Sequence, residues 1–266
     1  MTGPIMIADI PEAEYHADRT TFSQSDAKLI LSKPEAFTWR KANPTPSTPA
    51  MERGTAAHTV VLGIGAQPVR IDATSWRTTA AKEAADEARR QGKVPLLPKV
   101  FDAVHAMADA LSSHTLAMEL LSAAGTAEMT AYAPHEPTGI TRRARFDYIT
   151  DATIVDYKTT TDASPAGFVR SCANFGYHIQ NACYLDVATA CGWSGLGLWF
   201  VAQETEPPYI VQVHELDDDS IALGRQLFET AIERFAHYRA HGFPTTNNQT
   251  TAHVLSLPPW AWKEAI

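Results

Sequence analysis

Residues 142–161 have the sequence RRARFDYITDATIVDYKTTT, and this stretch predicts a β-hairpin. Its two halves, residues 143–150 and 153–159, are short and rich in β-branched and aromatic side chains. The polar pair Asp151 and Ala152 separates them, and two such segments joined by a two-residue turn are typical of antiparallel strands. The stretch therefore predicts two paired strands near the middle of the chain.

The expected register pairs Thr150 with Thr153 and brings Asp147 directly opposite Asp156. Like charges that face each other across a strand pair destabilise it by up to about 1 kcal/mol, so we expect a positive charge between them. Lys158 lies two residues after Asp156 and therefore on the same face of the strand. Two carboxylates and an ammonium on one patch suit a hard divalent cation, together with a group that orients or deprotonates the attacking water.

A simpler interpretation of the same charges stays open at this point. In that interpretation the hairpin is exposed, and Lys158 only neutralises Asp147 and Asp156. Solvated charge clusters are common on strands, and the charge pattern alone favours this alternative.

Two further features lie outside the hairpin. His58 ends the sequence GTAAH in a predicted helix over residues 51–62, where a lone histidine beside an apolar stripe is usually structural. Gln180 and Tyr184 are four residues apart in another predicted helix, so both point to one face and could reach the same ligand. The alternative for this pair is a solvent-facing glutamine beside a half-buried tyrosine.

Length and composition set outer limits on the function. With 266 residues and 45% hydrophobic content, the chain suits one large or two small soluble domains. Its formal net charge of −8 does not indicate a nucleic-acid-binding protein, although a metal centre and the arginines of the hairpin can supply local positive charge. The three cysteines show no paired spacing, so neither a disulfide framework nor a structural zinc site is expected. No signal-peptide pattern or long apolar run occurs, so we expect a soluble, intracellular protein.

Periodicity and capping residues predict the remaining elements. The expected helices begin at Ser23 or Ser25, at residue 51, within 76–92, within 100–121, at Pro165, at His178 and at Asp217, the last one ending at Gly242. The expected strands lie near residues 128–132, 195–202 and 209–216. Residues up to about 15 are expected to be irregular, and the segment PPWAW at 258–262 is expected to dock on the domain or on a partner.

Four motifs occur in a fixed order along the chain: GTAAH ending at His58, RARFDY around Asp147, VDYKTT around Asp156 and Lys158, and YHIQNACY with Gln180 and Tyr184. Together they resemble the RecE-type exonucleases, the exodeoxyribonuclease VIII branch of the PD-(D/E)XK nuclease superfamily. The sequence SQSDAKLILSKPEAF at residues 23–37 is also similar to the beginning of that family, so the resemblance extends from about residue 20 to about residue 200. In one departure, Phe146 stands where the superfamily name has a proline.

The resemblance implies an α/β fold with a central mixed β-sheet flanked by α-helices. It implies one nuclease domain over residues 1–266, with an N-terminal helical segment at about 20–62. The composition at about 76–95, rich in alanine and charged residues, predicts a helical excursion that is either an exposed helix or mobile. The implied activity is a DNA nuclease that depends on Mg²⁺ or Mn²⁺. The implied metal ligands are His58, Asp147, Asp156 and the backbone carbonyl of Tyr157.

The resemblance also implies roles for other residues. Lys158 would position or activate the attacking water, and Gln180 and Tyr184 would hold the DNA strand or the lysine. Glu128 and Thr159 would support the ligands. The residues expected to contact the DNA backbone are Arg142, Arg143, Arg145 and Arg53, with Lys41 and Arg170 also available.

At the level of biology, the resemblance implies a phage or prophage enzyme in the bacterial cytoplasm. It would degrade linear double-stranded DNA from 5′ ends and leave 3′ tails for a RecT-type annealing protein, as a ring-shaped homo-oligomer without a membrane partner. Two alternatives remain: a RecB-like nuclease for single-stranded DNA, and an inactive DNA-binding or assembly module. The RecB-like form with an iron–sulfur cluster needs four cysteines, one of them before His58, so no cluster is expected here. The retained acids, lysine and histidine disfavour the inactive module.

Overall fold

A central mixed β-sheet lies between two layers of helices. The computed structural model describes residues 3–8, 10–45, 47–245, 252 and 254–257, so the docking prediction for residues 258–262 lies outside the described residues. The strands are β1 (Ile5–Ile7), β2 (Phe22–Ser23), β3 (Pro68–Arg70), β4 (Val94–Leu96), β5 (Gly125–His135), β6 (Ile140–Thr150), β7 (Thr153–Thr160), β8 (Gly197–Glu204) and β9 (Val211–Glu215). The central sheet has the order β1-β5-β6-β7-β8-β9, with β2 also paired to β6, and β3 and β4 form a separate parallel pair.

The helices are α1 (Glu12–Ala17), α2 (Gln24–Ser32), α3 (Phe37–Ala42), α4 (Pro49–Leu62), α5 (Thr79–Arg90), α6 (Pro98–Ser112), α7 (Thr115–Ser122), α8 (Pro165–Phe175), α9 (Tyr177–Ala190) and α10 (Asp218–His241). The predicted α/β fold with a mixed sheet between helices is confirmed. Among the described residues, no helix combines the length and the apolar composition that crossing a bilayer requires.

The predicted hairpin forms from β6 and β7, but its strands separate early. Tyr148 pairs with Val155 and Ile149 with Ile154, which is the predicted register. Nearer its beginning, β6 pairs instead with β2, in parallel. The sheet therefore forks where β6 and β7 separate, and this fork lies at Asp147.

Both faces of the hairpin are buried, because helices cover the sheet on each side. Along β7, Ile154 packs into the core with α2, α9 and α10, whereas Val155 packs into the core with α4 and α6. Such two-sided burial explains why the adjacent residues Ile154 and Val155, which point to opposite faces, are both apolar. Asp156, the next residue of β7, is therefore buried in the interior.

Close packing fixes α9, the helix that carries the predicted Gln180 and Tyr184. A Cβ atom at Gly224 in α10 would lie only 2.0 Å from the backbone oxygen of His178 in α9. Only glycine allows the two helices to approach this closely. Side-chain caps at Ser23, Ser164 and Asp217 start α2, α8 and α10, as predicted.

Two regions differ from the sequence prediction. The first residues are not irregular throughout, because β1 pairs with the edge strand β5 and α1 follows it. The excursion at about 76–95 contains the expected helix α5, but this helix buries a face made only of alanines, at Ala81, Ala85 and Ala88. Small side chains on the buried face explain why the sequence showed little apolar periodicity there.

Candidate active site

An open cleft of about 1170 Å³ lies at the fork of the sheet. Its walls come from the N-terminal arm (residues 10–19), from α4, from the hairpin, from α9 and from the turn between α5 and β4. The predicted site residues that line it are His58, Glu128, Arg143, Arg145, Asp147, Tyr157, Lys158, Thr159 and Tyr184. Most of the predicted site therefore converges on one cavity, although its residues come from distant parts of the chain.

His58, Glu128 and Asp147 form a group that we call the carboxylate–histidine cluster. The Nε2 atom of His58 lies 3.1 Å from Oδ2 of Asp147, and its Nδ1 atom lies 3.4 Å from Oε1 of Glu128. One ligand atom from each residue lies within 4.8 Å of the others. Two carboxylates and an imidazole at this spacing fit a divalent cation that prefers oxygen ligands.

Glu128 reaches this cluster through an unusual backbone conformation. Its neighbours Ala127 and Met129 pair with Tyr148 and Phe146, so Glu128 faces Asp147 across the β5–β6 ladder. Its φ angle is 54°, in the left-handed region that residues other than glycine rarely adopt. Strained backbone of this kind is concentrated at functional sites. The sequence assigned Glu128 only a supporting role, whereas the structure places it beside His58 and Asp147.

Asp147 also holds the fork in place. Its Oδ2 atom accepts a hydrogen bond of 2.8 Å from the backbone N–H of Tyr157. Because β6 and β7 have separated here, this side chain supplies an acceptor that the neighbouring strand does not provide. Asp147 therefore links the backbone of β7 at Tyr157 to the His58 imidazole of α4.

Asp156, Lys158 and Gln180 form a second group, the lysine cluster. Asp156 is fully buried. Its Oδ1 atom accepts a hydrogen bond of 2.6 Å from Nε2 of Gln180, and its Oδ2 atom forms an ion pair with Lys158. The Lys158 ammonium also lies 5.2 Å from the ring centroid of Tyr177. The structure thus places Asp156 in contact with Lys158 and Gln180. His58 and Asp147 lie instead in the other cluster, with Glu128.

Charges of the first cluster are strongly perturbed. Burial opposes protonation of His58, but the carboxylates of Asp147 and Glu128 outweigh it and raise the pKa to about 9. Burial raises the pKa of Asp147, yet His58, Lys158 and the Tyr157 N–H together bring it below the usual value. Burial raises the pKa of Glu128. A protonated His58 therefore pairs with both acids, and Arg145 also lies 3.6 Å from the Glu128 carboxylate.

In the lysine cluster, burial and ion pairing act in opposite directions. Burial raises the pKa of Asp156 to about 6, although Lys158 opposes this shift. Burial also disfavours the charged form of Lys158, but Asp156 and Asp147 raise its pKa above the usual value. Lys158 therefore carries its proton at neutral pH and is poised to donate hydrogen bonds.

Three other predicted residues support the cleft from its walls. Tyr184 packs edge-on against Phe146, with 5.3 Å between ring centroids, and so braces the strand that carries Asp147. Thr159 lies opposite Gly54 of α4. A Cβ atom added at Gly54 would lie 3.5 Å from Oγ1 of Thr159. The Tyr157 hydroxyl donates to Oε1 of the buried Gln203 at 2.6 Å, a residue that the sequence did not single out.

The arginines predicted to contact DNA have diverse environments. Arg143 is only 4% exposed, and its guanidinium donates to the backbone oxygen of Tyr15. Arg145 donates to the backbone oxygen of Ile10 at 2.8 Å and, like Arg143, stacks on the Tyr15 ring. Both thus anchor the N-terminal arm.

The other two arginines do not line the cleft. Arg142 lies on the opposite face of β6 and donates to the backbone oxygen of Pro134 at 3.1 Å. Arg53 lies 3.4 Å from the exposed Glu206. Alternation along β6 explains the first case, since neighbouring strand residues point to opposite faces.

Comparisons with known proteins bear on the fold. A family model described as a PDDEXK-like domain of unknown function (DUF3799) matches residues 22–250. A crystal structure from Eubacterium rectale, whose exonuclease assignment is provisional, has a TM-score of 0.66 and 14% identity, and the match covers 97% of this chain and 98% of that one. At this identity, the similarity shows the fold alone.

A second solved structure is the alkaline exonuclease LHK-Exo from Laribacter hongkongensis, with a TM-score of 0.25 and 16% identity over 72% of this chain and 94% of that chain. This score is too low to establish a common fold. No curated protein matched the chain.

Proposed function

Because the chain belongs to the family of PDDEXK-like domains of unknown function (DUF3799), we propose that it is a metal-dependent deoxyribonuclease. The observation that carries this proposal is the convergence of the carboxylate–histidine cluster and the lysine cluster at the fork of one hairpin. An exposed hairpin with neutralised acids would not bury Asp156 or draw His58 from a distant helix. The simpler interpretation of the charge pattern is therefore disfavoured.

The proposed ion is Mg²⁺ or Mn²⁺, held by His58, Glu128 and Asp147. Oxygen ligands suit both ions, and the imidazole favours Mn²⁺ over Mg²⁺ because Mn²⁺ is the softer ion and accepts a nitrogen ligand more readily. When bound, such an ion supplies Lewis-acid polarisation of the phosphodiester and lowers the pKa of water. Asp156 and the Tyr157 carbonyl stay in the proposed ligand set as expectations from the family resemblance.

The protein's own groups would contribute position and charge. The Lys158 ammonium, fixed by its ion pair with Asp156, is poised to donate a hydrogen bond to a phosphate oxygen or to the attacking water. Gln180 holds the second oxygen of Asp156, so neither end of that carboxylate can rotate. Tyr184 keeps β6 against α9 by packing on Phe146.

A finer part of the proposal is that the enzyme is an exonuclease on linear double-stranded DNA. It would start at 5′ ends and leave 3′ single-stranded tails for a RecT-type annealing protein in phage recombination. The motif resemblance supports this assignment, and the provisional description of the Eubacterium rectale protein agrees with an exonuclease activity only. A single nuclease domain assembled as a homo-oligomer belongs to the same proposal, and light scattering of the purified protein tests the oligomer.

The decisive experiment is digestion of end-labelled linear duplexes with Mg²⁺, with Mn²⁺ and with EDTA. Three duplexes that carry 5′-phosphate, 5′-hydroxyl or blocked 5′ ends report activity, polarity and end requirement together. We expect digestion only with a divalent ion and from unblocked 5′ ends. Lys158→Met should be inactive, whereas Lys82→Met, which changes an exposed lysine of α5 outside the cleft, should digest like wild type. No digestion under any metal condition would refute the nuclease assignment.

A further inference from the structure

Seven lysine and arginine side chains line the cleft: Arg19, Lys41, Arg89, Lys93, Arg143, Arg145 and Lys158. A DNA backbone in the cleft needs positive charge that is free to pair with phosphates, because affinity arises largely from phosphate neutralisation and counterion release. Which of the seven are free is decided by the partners that each already has.

Five of these cations are already engaged. Lys41 lies 2.5 Å from Asp26, and Arg89 lies 2.8 Å from the buried Glu52. Arg143 and Arg145 anchor the N-terminal arm through backbone oxygens, and Lys158 is paired with Asp156. Transfer of such a cation to DNA would leave a partly buried acid or carbonyl without its partner, which is unfavourable.

Arg19 and Lys93 are the two exceptions within the described part of the chain. Both are exposed. Across the described residues, neither side chain has an ion pair or a hydrogen bond, although both line the cleft. Their charges are therefore available without the loss of an internal contact.

The two residues line the cleft from different segments, Arg19 from the N-terminal arm and Lys93 from the turn between α5 and β4. That cluster lies where α4 meets β6, since His58 of α4 contacts Asp147 of β6. Arg19 follows Asp18, whose carboxylate lies 3.5 Å from Arg143 on the β6 side. Lys93 precedes β4, which packs against α4, and Arg89 ties the same excursion to Glu52 of α4.

We infer that Arg19 and Lys93 hold the DNA backbone on the two sides of the cleft, so that the scissile phosphate lies between them at the carboxylate–histidine cluster. This inference rests on the proposed nuclease function and names its gripping residues. The N-terminal arm and the excursion between α4 and α6 would then both bind DNA. Arg143 holds the first of these segments in place, and Arg89 holds the second.

The test is the salt dependence of duplex binding, measured by fluorescence anisotropy with Ca²⁺ in place of Mg²⁺ and with strand integrity checked on a denaturing gel. The plot of log K against log salt has a slope of about −0.9 per neutralised phosphate. Arg19→Ala and Lys93→Ala should each make the slope shallower by about 1 and weaken binding roughly fivefold to tenfold at low salt. Arg19→Lys and Lys93→Arg should keep the wild-type slope, because they keep the charge.

Matched controls are Arg234→Ala on α10 and Lys82→Ala on α5, which remove exposed charges outside the cleft. Their slopes should equal that of wild type. If the wild-type protein binds duplex DNA but either cleft variant keeps its slope, the two-sided grip is wrong and the nuclease proposal stands. If wild type binds no duplex even at low salt, the proposed function fails and this inference fails with it.

Discussion

The carboxylate–histidine cluster and the lysine cluster share one cleft but are built differently. In the first, the side chains of His58, Glu128 and Asp147 are 15–23% exposed, and the distances between them are 3.1 and 3.4 Å. In the second, the side chain of Asp156 is 1% exposed and accepts a hydrogen bond of 2.6 Å from Gln180. The first can exchange its internal contacts for a cation, whereas in the second Asp156 could bind a cation only if its ion pair with Lys158 rearranged.

This difference separates two tasks that a nuclease site must perform. Ligands for a metal need room and displaceable partners, because the protonated imidazole must give up its proton when a cation binds. A positioning group needs the opposite, since a buried charge is costly unless its hydrogen bonds are complete. We therefore expect changes in the first cluster to affect metal binding more than stability, and changes in the second to affect both stability and activity.

The largest effect is expected from Lys158→Met. This change leaves Asp156 buried without its cation, which should lower the free energy of unfolding by about 3–5 kcal/mol and abolish DNA digestion. Chemical denaturation and the end-labelled duplex assay measure the two losses. Because burial favours neutralisation of Asp156, the double variant Lys158→Met/Asp156→Asn should recover much of the stability and none of the activity. A double variant as unstable as Lys158→Met would show that the unpaired charge of Asp156 is not the cause.

Asp147→Asn should separate activity from stability. Asparagine keeps an oxygen that can accept the Tyr157 N–H but loses the charge that faces His58 and the cation. We expect digestion to fall by at least about 10³-fold, while the melting temperature changes by only a few degrees. Asp151→Asn, in the turn of the hairpin, is the control and should retain full activity. A large loss of stability in Asp147→Asn would mean that its main role is to hold the fork.

Glu128→Gln tests whether the third member of the cluster binds the metal. We expect Mn²⁺ affinity, measured by calorimetry, to fall about 10–100-fold with no loss of folding. Glu136→Gln, at an exposed position in the turn after β5, should bind Mn²⁺ like wild type. Unchanged affinity in Glu128→Gln would show that this residue neither binds the metal nor supports its ligands.

The sequence predicted the hairpin because its determinants are local. Alternating β-formers and a two-residue turn fix the register, and that register is the observed one. The fork could not be predicted, because it depends on β2, a strand from near the N-terminus that replaces β7 beside β6. The position of Glu128 likewise depends on the β5–β6 register and on a left-handed φ angle that glutamate gives no reason to expect.

Charge adjacency in the sequence was a poorer guide than secondary structure. Arg142 and Arg143 are neighbours in the chain, yet strand alternation sends them to opposite faces of the sheet. The hydrogen bond from Arg143 to the backbone oxygen of Tyr15 forms only when the N-terminal arm is folded against β6, so no local sequence pattern predicts it. The sequence did not predict Arg19 and Lys93 as DNA contacts for the same reason. A cation without an internal partner can be identified only when the partners of the other cations are known.

The smallest effect on stability is expected at Lys28, whose ammonium donates to the backbone oxygen of Phe175 at 2.8 Å. Lys158, Asp156 and Cys183 are the charged or titratable groups near it, and burial together with Lys158 lowers its pKa from 10.5 to about 8. Between these two values the unfolded chain binds the proton more tightly than the folded chain, so this residue makes stability rise with pH in that window.

Lys28→Met removes this contribution and should isolate it. The stability of wild type minus that of Lys28→Met should increase from about pH 8 to about pH 10, on the order of 1–2 kcal/mol, as urea unfolding measures it. A flat or falling difference for Lys28→Met would mean that the ammonium is well solvated, and that the interior around Asp156 and Lys158 is less closed than its contacts indicate.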